Sequence, residues 1–155
     1  ILKEGKIQNA GPISEMATRL ESPWQKDDER FAFLRACIKK WDESYHLLEL
    51  DCEGTSLFVP RSHPDEMSLQ QKIFLKISAT DVSVTLERPN ASSVLNVFPV
   101  RIEEVEKFNA AELLLSLKLE TQTFYCRITR RSYESLKLTK NQTVFAQVKS
   151  VSLVH

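Results

Sequence analysis

The sequence predicts a mainly β protein built from two small barrel units in tandem, and three observations support this. From Phe31 onward, short stretches are rich in β-branched, aromatic and leucine residues. Residues 81–86 alternate apolar and polar side chains, as a half-buried strand does. The order of predicted strands and turns in the first stretch returns in the second, which indicates an internal duplication.

The predicted strands carry a short helical turn at the same place in each half. In the first half the strands are 31–41, 45–52, 55–61, 71–79 and 81–86. In the second half they are 94–106, 112–119, 122–129 and 143–154. The helical turns are predicted at 63–67 and 131–136. Four or five strands with one helical turn between the third and the fourth are typical of a small, partly open barrel of the OB type.

The duplication is visible residue by residue. Residues 47–59 align without gaps on 114–126, with three leucines and one glutamate identical. Further on, 71–79 aligns on 142–150, while Ile38 aligns on Ile102. The offsets of 64, 67 and 71 residues place small insertions in loops, where they cost least. A unit of about 60 residues buries little core alone, so the two units are expected to pack together.

The composition excludes several classes of function. Hydrophobic residues make up 42% and charged residues 27%, which argues against a disordered chain, and no apolar run is long enough to span a bilayer. Lys+Arg and Asp+Glu are 21 each, and this net charge of zero disfavours a strongly basic nucleic-acid binder. Only three glycines occur, and both the Gly-x-Gly-x-x-Gly and the P-loop motifs are missing, so nucleotide sites of those kinds are excluded within this chain.

The cysteines and histidines predict neither a disulfide framework nor a metal site. Cys37, Cys52 and Cys126 are odd in number and far apart, which indicates reduced thiols in a cytoplasmic setting. Cys126 alternates with core-facing neighbours and is expected in the core. The three histidines are not spaced as metal ligands, and no Ser–His–acid or Cys–His grouping predicts catalysis.

Three segments resemble a known family. They are Asp81-Val-Ser-Val-Thr-Leu-Glu-Arg-Pro89, Ser92-Ser-Val-Leu-Asn96 and Phe145-Ala-Gln-Val-Lys-Ser-Val-Ser-Leu153. Together they look like the C-terminal region of the molybdate-importer ATPase, which carries a transport-associated OB-like domain related to the small molybdate-binding Mop proteins. Residues 1–21 look like the end of an ABC ATPase domain.

This resemblance implies a domain order and a function. Residues 1–30 would be the remnant of an ATPase domain plus a linker, 31–89 a first OB-like half, and 90–155 a second, Mop-type half. The whole would be a regulatory or oligomerising domain of the ATP-binding subunit of a molybdate or tungstate ABC importer. ATP and Mg would bind only in the ATPase domain of the parent subunit, so this chain is not expected to be an enzyme.

The resemblance also implies partners and a location. A homodimer, a transmembrane permease partner and a cytoplasmic position on the inner face of the cell membrane are implied, with no nucleic acid. A purely structural dimerisation domain without ligand is the alternative. An OB-type nucleic-acid module is a weaker alternative, because its stacking aromatics would have to come from core-like positions: Phe98, Phe108, Phe124 and Tyr125.

A site for a tetrahedral dianion such as molybdate needs hydrogen-bond donors and one or two cations, because an acceptor pointing inward would repel it. In the resembling Mop-type proteins these donors come from a Ser-x-Arg-Asn segment and a Lys-Ser pair. The first maps on Ser93 and Asn96, and the second on Lys149 and Ser150. Thr129 matches a further hydroxyl position. No metal ligands are implied.

The match has one departure, and each residue has an ordinary alternative. Leu95 stands where the family often has Arg, so a bidentate guanidinium donor is missing unless Arg130 or Arg131 replaces it. Asn96 is alternatively a turn-forming or strand-bridging amide, and Ser93 a turn cap. The lysine–serine pair is alternatively an ordinary part of an edge strand.

Charge favours the second half as the site of binding. Residues 90–155 hold nine Lys/Arg against six Asp/Glu, a net charge of +3, whereas 31–89 hold seven against nine, a net charge of −2. In the internal alignment, Ser78 and Ala79 occupy the positions of Lys149 and Ser150. We therefore predict that an oxyanion binds through the second half.

Overall fold

The computed structural model describes residues 30–63 and 69–154, and these residues form a mainly β protein, as predicted. The expectations for residues 1–21 and for the linker up to residue 29 lie outside the described residues. So does the predicted turn at 63–67, apart from His63. No helix of the described residues has both the length and the apolar character needed to cross a membrane.

The described residues form ten strands, one 3₁₀ turn and one short helix. In chain order the strands are β1 (Phe31–Asp42), β2 (Leu47–Cys52), β3 (Thr55–Pro60), β4 (Lys72–Ser78), β5 (Val82–Thr85), β6 (Asn96–Lys107), β7 (Glu112–Leu119), β8 (Gln122–Thr129), β9 (Thr143–Val148) and β10 (Ser152–Val154). The 3₁₀ turn Ala79–Asp81 precedes β5, and the helix α1 (Arg130–Ser135) follows β8.

The strands form two antiparallel sheets that exchange one strand each. The first sheet has the order β10-β4-β1-β2-β3, and the second has the order β5-β9-β6-β7-β8. Thus β5, from the first part of the chain, pairs with β9 through Val84 and Ala146, while β10 pairs with β4 through Leu153 and Leu75. The first sheet therefore combines β1 to β4 with β10 from the end of the chain, whereas the second consists of the consecutive strands β5 to β9.

The expectation of one strand over 143–154 is wrong. The chain leaves the second sheet after Val148, where the Lys149 N–H donates to the carbonyl of Asp81 at 2.8 Å instead of continuing a ladder. It then crosses to the first sheet and forms β10 there. The crossing needs neither Gly nor Pro, so residues 149–151 give no turn signal in the sequence.

The pairing register confirms the duplication. The ladder between β1 and β2 has an irregularity between Ile38 and Lys40, and the ladder between β6 and β7 has the same irregularity between Ile102 and Glu104. These positions are 64 residues apart, as the sequence alignment requires. A bulge of this kind bends and twists a long strand, which lets β1 and β6 each take part in two ladders along their length.

The turn before the fourth strand of each unit repeats as well. Ile38 N–H donates to the carbonyl of Gln71 at 2.9 Å, and Ile102 N–H donates to the carbonyl of Gln142 at 2.9 Å. The donors are offset by 64 residues and the acceptors by 71, which are the offsets read from the sequence. The two units therefore share backbone geometry as well as strand order.

One hydrophobic core extends across both sheets. Leu34, Leu50 and Leu75 of the first sheet and Phe98 and Phe124 of the second are fully buried members of a single cluster. The two edge strands of the second sheet come close together, and the thiol of Cys126 on β8 donates to the carbonyl of Val82 on β5 at 3.1 Å. The units pack together as predicted, and apolar burial holds them so.

Candidate functional site

Three of the five predicted site residues lie at one end of the second sheet. Asn96 begins β6 and pairs with Val148, the last residue of β9, and Lys149 and Ser150 follow directly. The Lys149 N–H binds the carbonyl of Asp81, in the turn before β5. We call Asn96, Lys149 and Ser150 the β6–β9 corner. It is formed because β5, β6 and β9 all begin or end there.

The loop that carries Ser93 is held over the second sheet by its neighbours. The hydroxyl of Ser92 donates to Gln147 Oε1 at 3.0 Å and accepts the N–H of Val94 at 3.1 Å. Ser92 therefore caps this turn, and the exposed hydroxyl of Ser93 makes no hydrogen bond to another described residue. Ser93 thus precedes the corner by three residues and keeps its donor available.

Arg88 fixes the start of the same loop. Its Nη1 donates to the carbonyl of Val97 at 3.3 Å, and its guanidinium carbon lies 4.9 Å from the centre of the Phe145 ring. A guanidinium over an aromatic face is attracted by the negative charge of the ring. The loop therefore has a defined path along β6 and β9 to the corner.

Lys149 and Ser150 are both exposed. Among the described residues, no carboxylate forms an ion pair with the ammonium of Lys149, whereas other basic side chains such as Lys118, Arg127 and Lys140 are paired. An exposed lysine without an acidic partner retains its charge for a ligand, and a serine hydroxyl beside it adds a rotatable donor. The corner thus presents donors to solvent.

Asn96 is buried and already bonded. Its Oδ1 accepts the N–H of Phe58 at 2.7 Å, and its Nδ2 donates to the carbonyl of Phe58 at 3.0 Å. Phe58 lies on β3, the edge strand of the first sheet. The strand-bridging amide considered for Asn96 is therefore present, and one hydrogen of Nδ2 remains for a further acceptor. No sequence signal marks Phe58, since it contributes only backbone atoms.

Thr129 is not part of this corner. It ends β8, pairs with Glu112 on β7, and accepts the N–H of Ser132 at 3.0 Å as the N-cap of α1. Arg130, one of the proposed replacements for a missing arginine, forms an exposed ion pair with Glu134 at 3.8 Å. The described contacts of both residues are therefore within the β7–β8–α1 region.

The matching corner of the first sheet lacks the amide and the ammonium, and its one hydroxyl is buried and bonded within the adjacent turn. Ala32, Ser78 and Ala79 stand where the second sheet has Asn96, Lys149 and Ser150, and all three are buried. The hydroxyl of Ser78 accepts the N–H of Thr80 at 3.3 Å, inside the 3₁₀ turn. The two sheets thus share their strand order and backbone pairing, but their corners carry different side chains.

The two buried thiols of the described residues lie in the core, away from the corner. Burial, with smaller contributions from Glu53 and Asp51, raises the pKa of Cys52 to about 11. Burial alone raises the pKa of Cys126 to about 12, and Cys126 lies in the core as predicted. Both raised pKa values lie well above neutral pH, unlike the lowered pKa of an activated nucleophilic cysteine. No group of His, Cys, Asp or Glu in the described part of the chain could hold a metal.

A separate open cavity of about 460 Å³ lies at the end of β3, lined by Tyr45, His46, Pro60, Arg61 and Ser62. It contains none of the predicted site residues. Of the four aromatics considered for a nucleic-acid platform, Phe98 and Phe124 are fully buried and pack edge to face at 5.9 Å, while Phe108 and Tyr125 are partly buried. The β6–β9 corner is therefore the arrangement that best fits the predicted chemistry.

Comparison with known families is consistent with this fold. Residues 92–154 match the family model of the TOBE domain. This TOBE match includes the whole β6–β9 corner and the loop with Ser93, and it belongs to an accessory domain rather than to an ATPase domain.

Sequence similarity to known proteins extends over nearly the whole of this chain. The molybdenum import ATP-binding protein ModC of Hahella chejuensis is 34% identical over 155 residues, which is 99% of this chain and 42% of that protein. ModC of Aromatoleum aromaticum is 32% identical over 154 residues, with 99% and 40% covered. The chain thus spans about two fifths of the length of these relatives, and the predicted resemblance to an accessory domain of such subunits is confirmed.

A solved structure has the same fold. The crystal structure of the cytoplasmic molybdate-binding protein ModG, with molybdate bound, superposes with a TM-score of 0.66, covering 78% of this chain and 93% of that one. The sequences are 16% identical, so the likeness shows the fold alone. The predicted fold class, tandem OB-like units of the Mop type with short helical turns, is confirmed.

Proposed function

We propose that this TOBE-containing chain is a regulatory and dimerising accessory domain of the ATP-binding subunit of a molybdate or tungstate importer, and that it binds the oxyanion at the β6–β9 corner. The observation that carries the proposal is the corner itself. Lys149, whose ammonium has no acidic partner among the described residues, and Ser150 directly follow Val148, which pairs with Asn96, and Ser93 precedes Asn96 by three residues, in the half that carries net positive charge.

The chemistry of the ligand suits these donors. Molybdate and tungstate are dianions without a proton at neutral pH, so every group that faces them has to donate or carry positive charge. Lys149 supplies the charge, the two serine hydroxyls supply neutral donors, and Asn96 supplies its remaining N–H. Hydrogenphosphate carries a proton and tolerates an acceptor, so a site made of donors alone discriminates against it only through size and charge.

Thr129 is also a proposed donor, but from a different place. A single chain holds it at the start of α1, bonded to Ser132, away from the three proposed donors of the β6–β9 corner. Thr129 contributes only if the proposed dimer or a rearrangement of β8 brings it to the anion. This makes it the weakest member of the proposed set.

The proposed role in transport is feedback by population shift. An anion held between structural units favours the arrangement in which its donors converge, and this preference biases the ATPase domains to which the chain would be attached. The parent subunit would carry ATP and Mg, dimerise, and contact a membrane permease at the inner face of the cell membrane.

One observation favours a second candidate, a dimerisation domain without ligand. Leu95 is 58% exposed directly before Asn96. An apolar side chain at this place donates no hydrogen bond to an anion, and an exposed leucine suits contact with another protein surface. The two candidates differ in whether molybdate binds at all.

Calorimetric titration of the chain with molybdate separates them, with sulfate and phosphate as control anions. Lys149→Ala is expected to lower molybdate affinity by about tenfold or more, because a charge-assisted bond is lost. Lys72→Ala, which removes the same charge from an exposed position on β4, should bind like the unmodified chain. Equal affinity in both variants would refute the assignment of Lys149. Absence of molybdate binding by the unmodified chain would favour the ligand-free candidate.

A further inference from the structure

Two of the contacts between the sheets are related by the duplication, and each of these two carries one amide side chain. At the contact of β3 with β6, Asn96 binds both backbone groups of Phe58. At the contact of β1 with β8, Gln122 Oε1 accepts the N–H of Arg35 at 2.7 Å, and its Nε2 donates to the carbonyl of Arg35 at 3.1 Å. We call these the Asn96 clamp and the Gln122 clamp.

The clamps perform the same bonding from different positions of the repeat. The counterpart of Asn96 in the first unit is Ala32, and the counterpart of Gln122 is Thr55. At the β1–β8 contact the amide lies on β8, and β1 has Ala32 at the position of Asn96. The fold therefore does not require an amide at this position of the long strand. The Asn96 clamp occurs only in the unit that also has Lys149 and Ser150.

We propose that Phe58, in the first half, positions the oxyanion site of the second half through the Asn96 clamp. This inference rests on the function proposed above. Asn96 is 5% exposed and its two amide atoms are fixed by a backbone that cannot rotate away, so the direction of its remaining N–H is set by β3. Since Asn96 pairs with Val148, the clamp also fixes the end of β9, from which Lys149 extends.

The first half is then part of the binding site without touching the ligand. Phe58 is a positioning residue, because it acts only through Asn96. Linkage requires the effect to be mutual: if the Phe58–Asn96 bonds strengthen anion binding, the bound anion strengthens those bonds by the same factor. This reciprocity provides a test in the unmodified chain.

Amide hydrogen exchange measures both clamps in one sample. The N–H of Phe58 and the N–H of Arg35 are each held by an amide oxygen at 2.7 Å, so Arg35 is a matched internal reference. Saturating molybdate, compared with sulfate, should slow exchange of the Phe58 amide about two- to tenfold more than that of Arg35, the range expected for one hydrogen bond. Equal slowing of the two amides would overturn the inference.

A pair of variants tests the same link from the protein side. Phe58→Pro removes the N–H that Asn96 accepts, and proline is tolerated on an edge strand where the N–H does not enter the ladder. Phe58→Leu keeps that N–H and alters only the side chain. Phe58→Pro should weaken molybdate binding about two- to tenfold relative to Phe58→Leu, while Gln122→Ala should leave the dissociation constant unchanged although it destabilises the fold.

The outcomes also separate this inference from the proposed function. If the unmodified chain binds molybdate and loses affinity in Lys149→Ala, but Phe58→Pro matches Phe58→Leu, the corner stands and the positioning role of Phe58 is refuted. If Phe58→Pro does not fold, the exchange measurement decides alone. If the unmodified chain does not bind molybdate, the proposed function fails first, and the inference falls with it.

Discussion

The two corners at equivalent ends of the two sheets differ far more than the frames that hold them. Pairing register, the bulge in the long strand and the turn before the fourth strand recur at fixed offsets. At the corners, however, the residues at equivalent positions differ: the second unit has Asn96, Lys149 and Ser150 where the first unit has Ala32, Ser78 and Ala79.

This difference shows which constraints belong to the fold and which do not. The frame requires backbone bonds and apolar side chains of fitting size, and buried Ala32 and Ala79 satisfy it. An exposed lysine and serine add nothing to core packing, so the fold does not explain their presence in one copy. The contrast between the corners is therefore the best guide to function in this molecule.

The largest predicted effect is a loss of unfolding free energy from substitutions in the core, where the two units should behave alike. Leu50 and Leu117 are equivalent and fully buried, so Leu50→Ala and Leu117→Ala should each lower the free energy of unfolding by about 2–5 kcal/mol. Because each sheet contains a strand of the other unit, both variants should shift one common transition in urea. Leu86→Ala, at an exposed site, serves as control with a change within about 0.5 kcal/mol. Two separate transitions would contradict the coupling.

A smaller effect is expected at the Gln122 clamp. Gln122→Ala leaves the N–H and carbonyl of Arg35 without their partner and should lower the free energy of unfolding by about 1–3 kcal/mol. Gln147→Ala is the matched control, because its amide bonds only exposed serine hydroxyls. Denaturant unfolding of the two variants measures the difference. Similar losses of unfolding free energy in both variants would show that the Gln122 clamp stabilises the fold no more than an exposed amide does.

The smallest effect concerns a contact between the β2–β3 hairpin of the first unit and the β7–β8 hairpin of the second. Thr121 donates its hydroxyl and its N–H to Glu53, and these bonds hold the pKa of the Glu53 carboxyl below its usual range. A lowered folded pKa gives stability that is present above the unfolded pKa of about 4.3 and is lost as the pH falls through the folded value. The contact is exposed, so the contribution is small.

Thermal unfolding across this pH range tests the contact. Glu53→Gln should show a shallower loss of stability below about pH 4.3 than the unmodified chain, since the titrating group is gone. Glu120→Gln removes the same charge from the equivalent hairpin position and should leave the acid slope as it is. A reversed result for the two variants would refute this account.

Strand positions were largely predictable from the sequence, because each strand has a local pattern. The bounds of β7 and β8 agree with the prediction to the residue, and the alternation of residues 81–86 correctly predicted β5. The partner of a strand has no local signature, so the exchange of β5 and β10 could not be read in this way. For the same reason the local pattern predicts one strand over 143–154, where the structure has β9 and β10 in different sheets.

The candidate site was predictable in part. The resemblance identified Lys149 and Ser150, and the structure shows that they lie beside Asn96. It could not identify Phe58, since a backbone amide provides a hydrogen bond regardless of the residue type. The position of Thr129 outside the corner could not be predicted either, because the residue type alone does not distinguish a threonine that caps a helix from one that binds a ligand.

The exchanged strands bear on the ancestry of this chain. A primitive polypeptide with one copy of the unit would have made four strands of a sheet and carried the fifth outward, where only a second molecule could accept it. Such molecules would have existed as intertwined pairs, and joining two genes end to end would have converted that pair into a single chain without altering one strand pairing. Later substitutions could then specialise one copy while its sister kept only the frame, a freedom that identical subunits do not have.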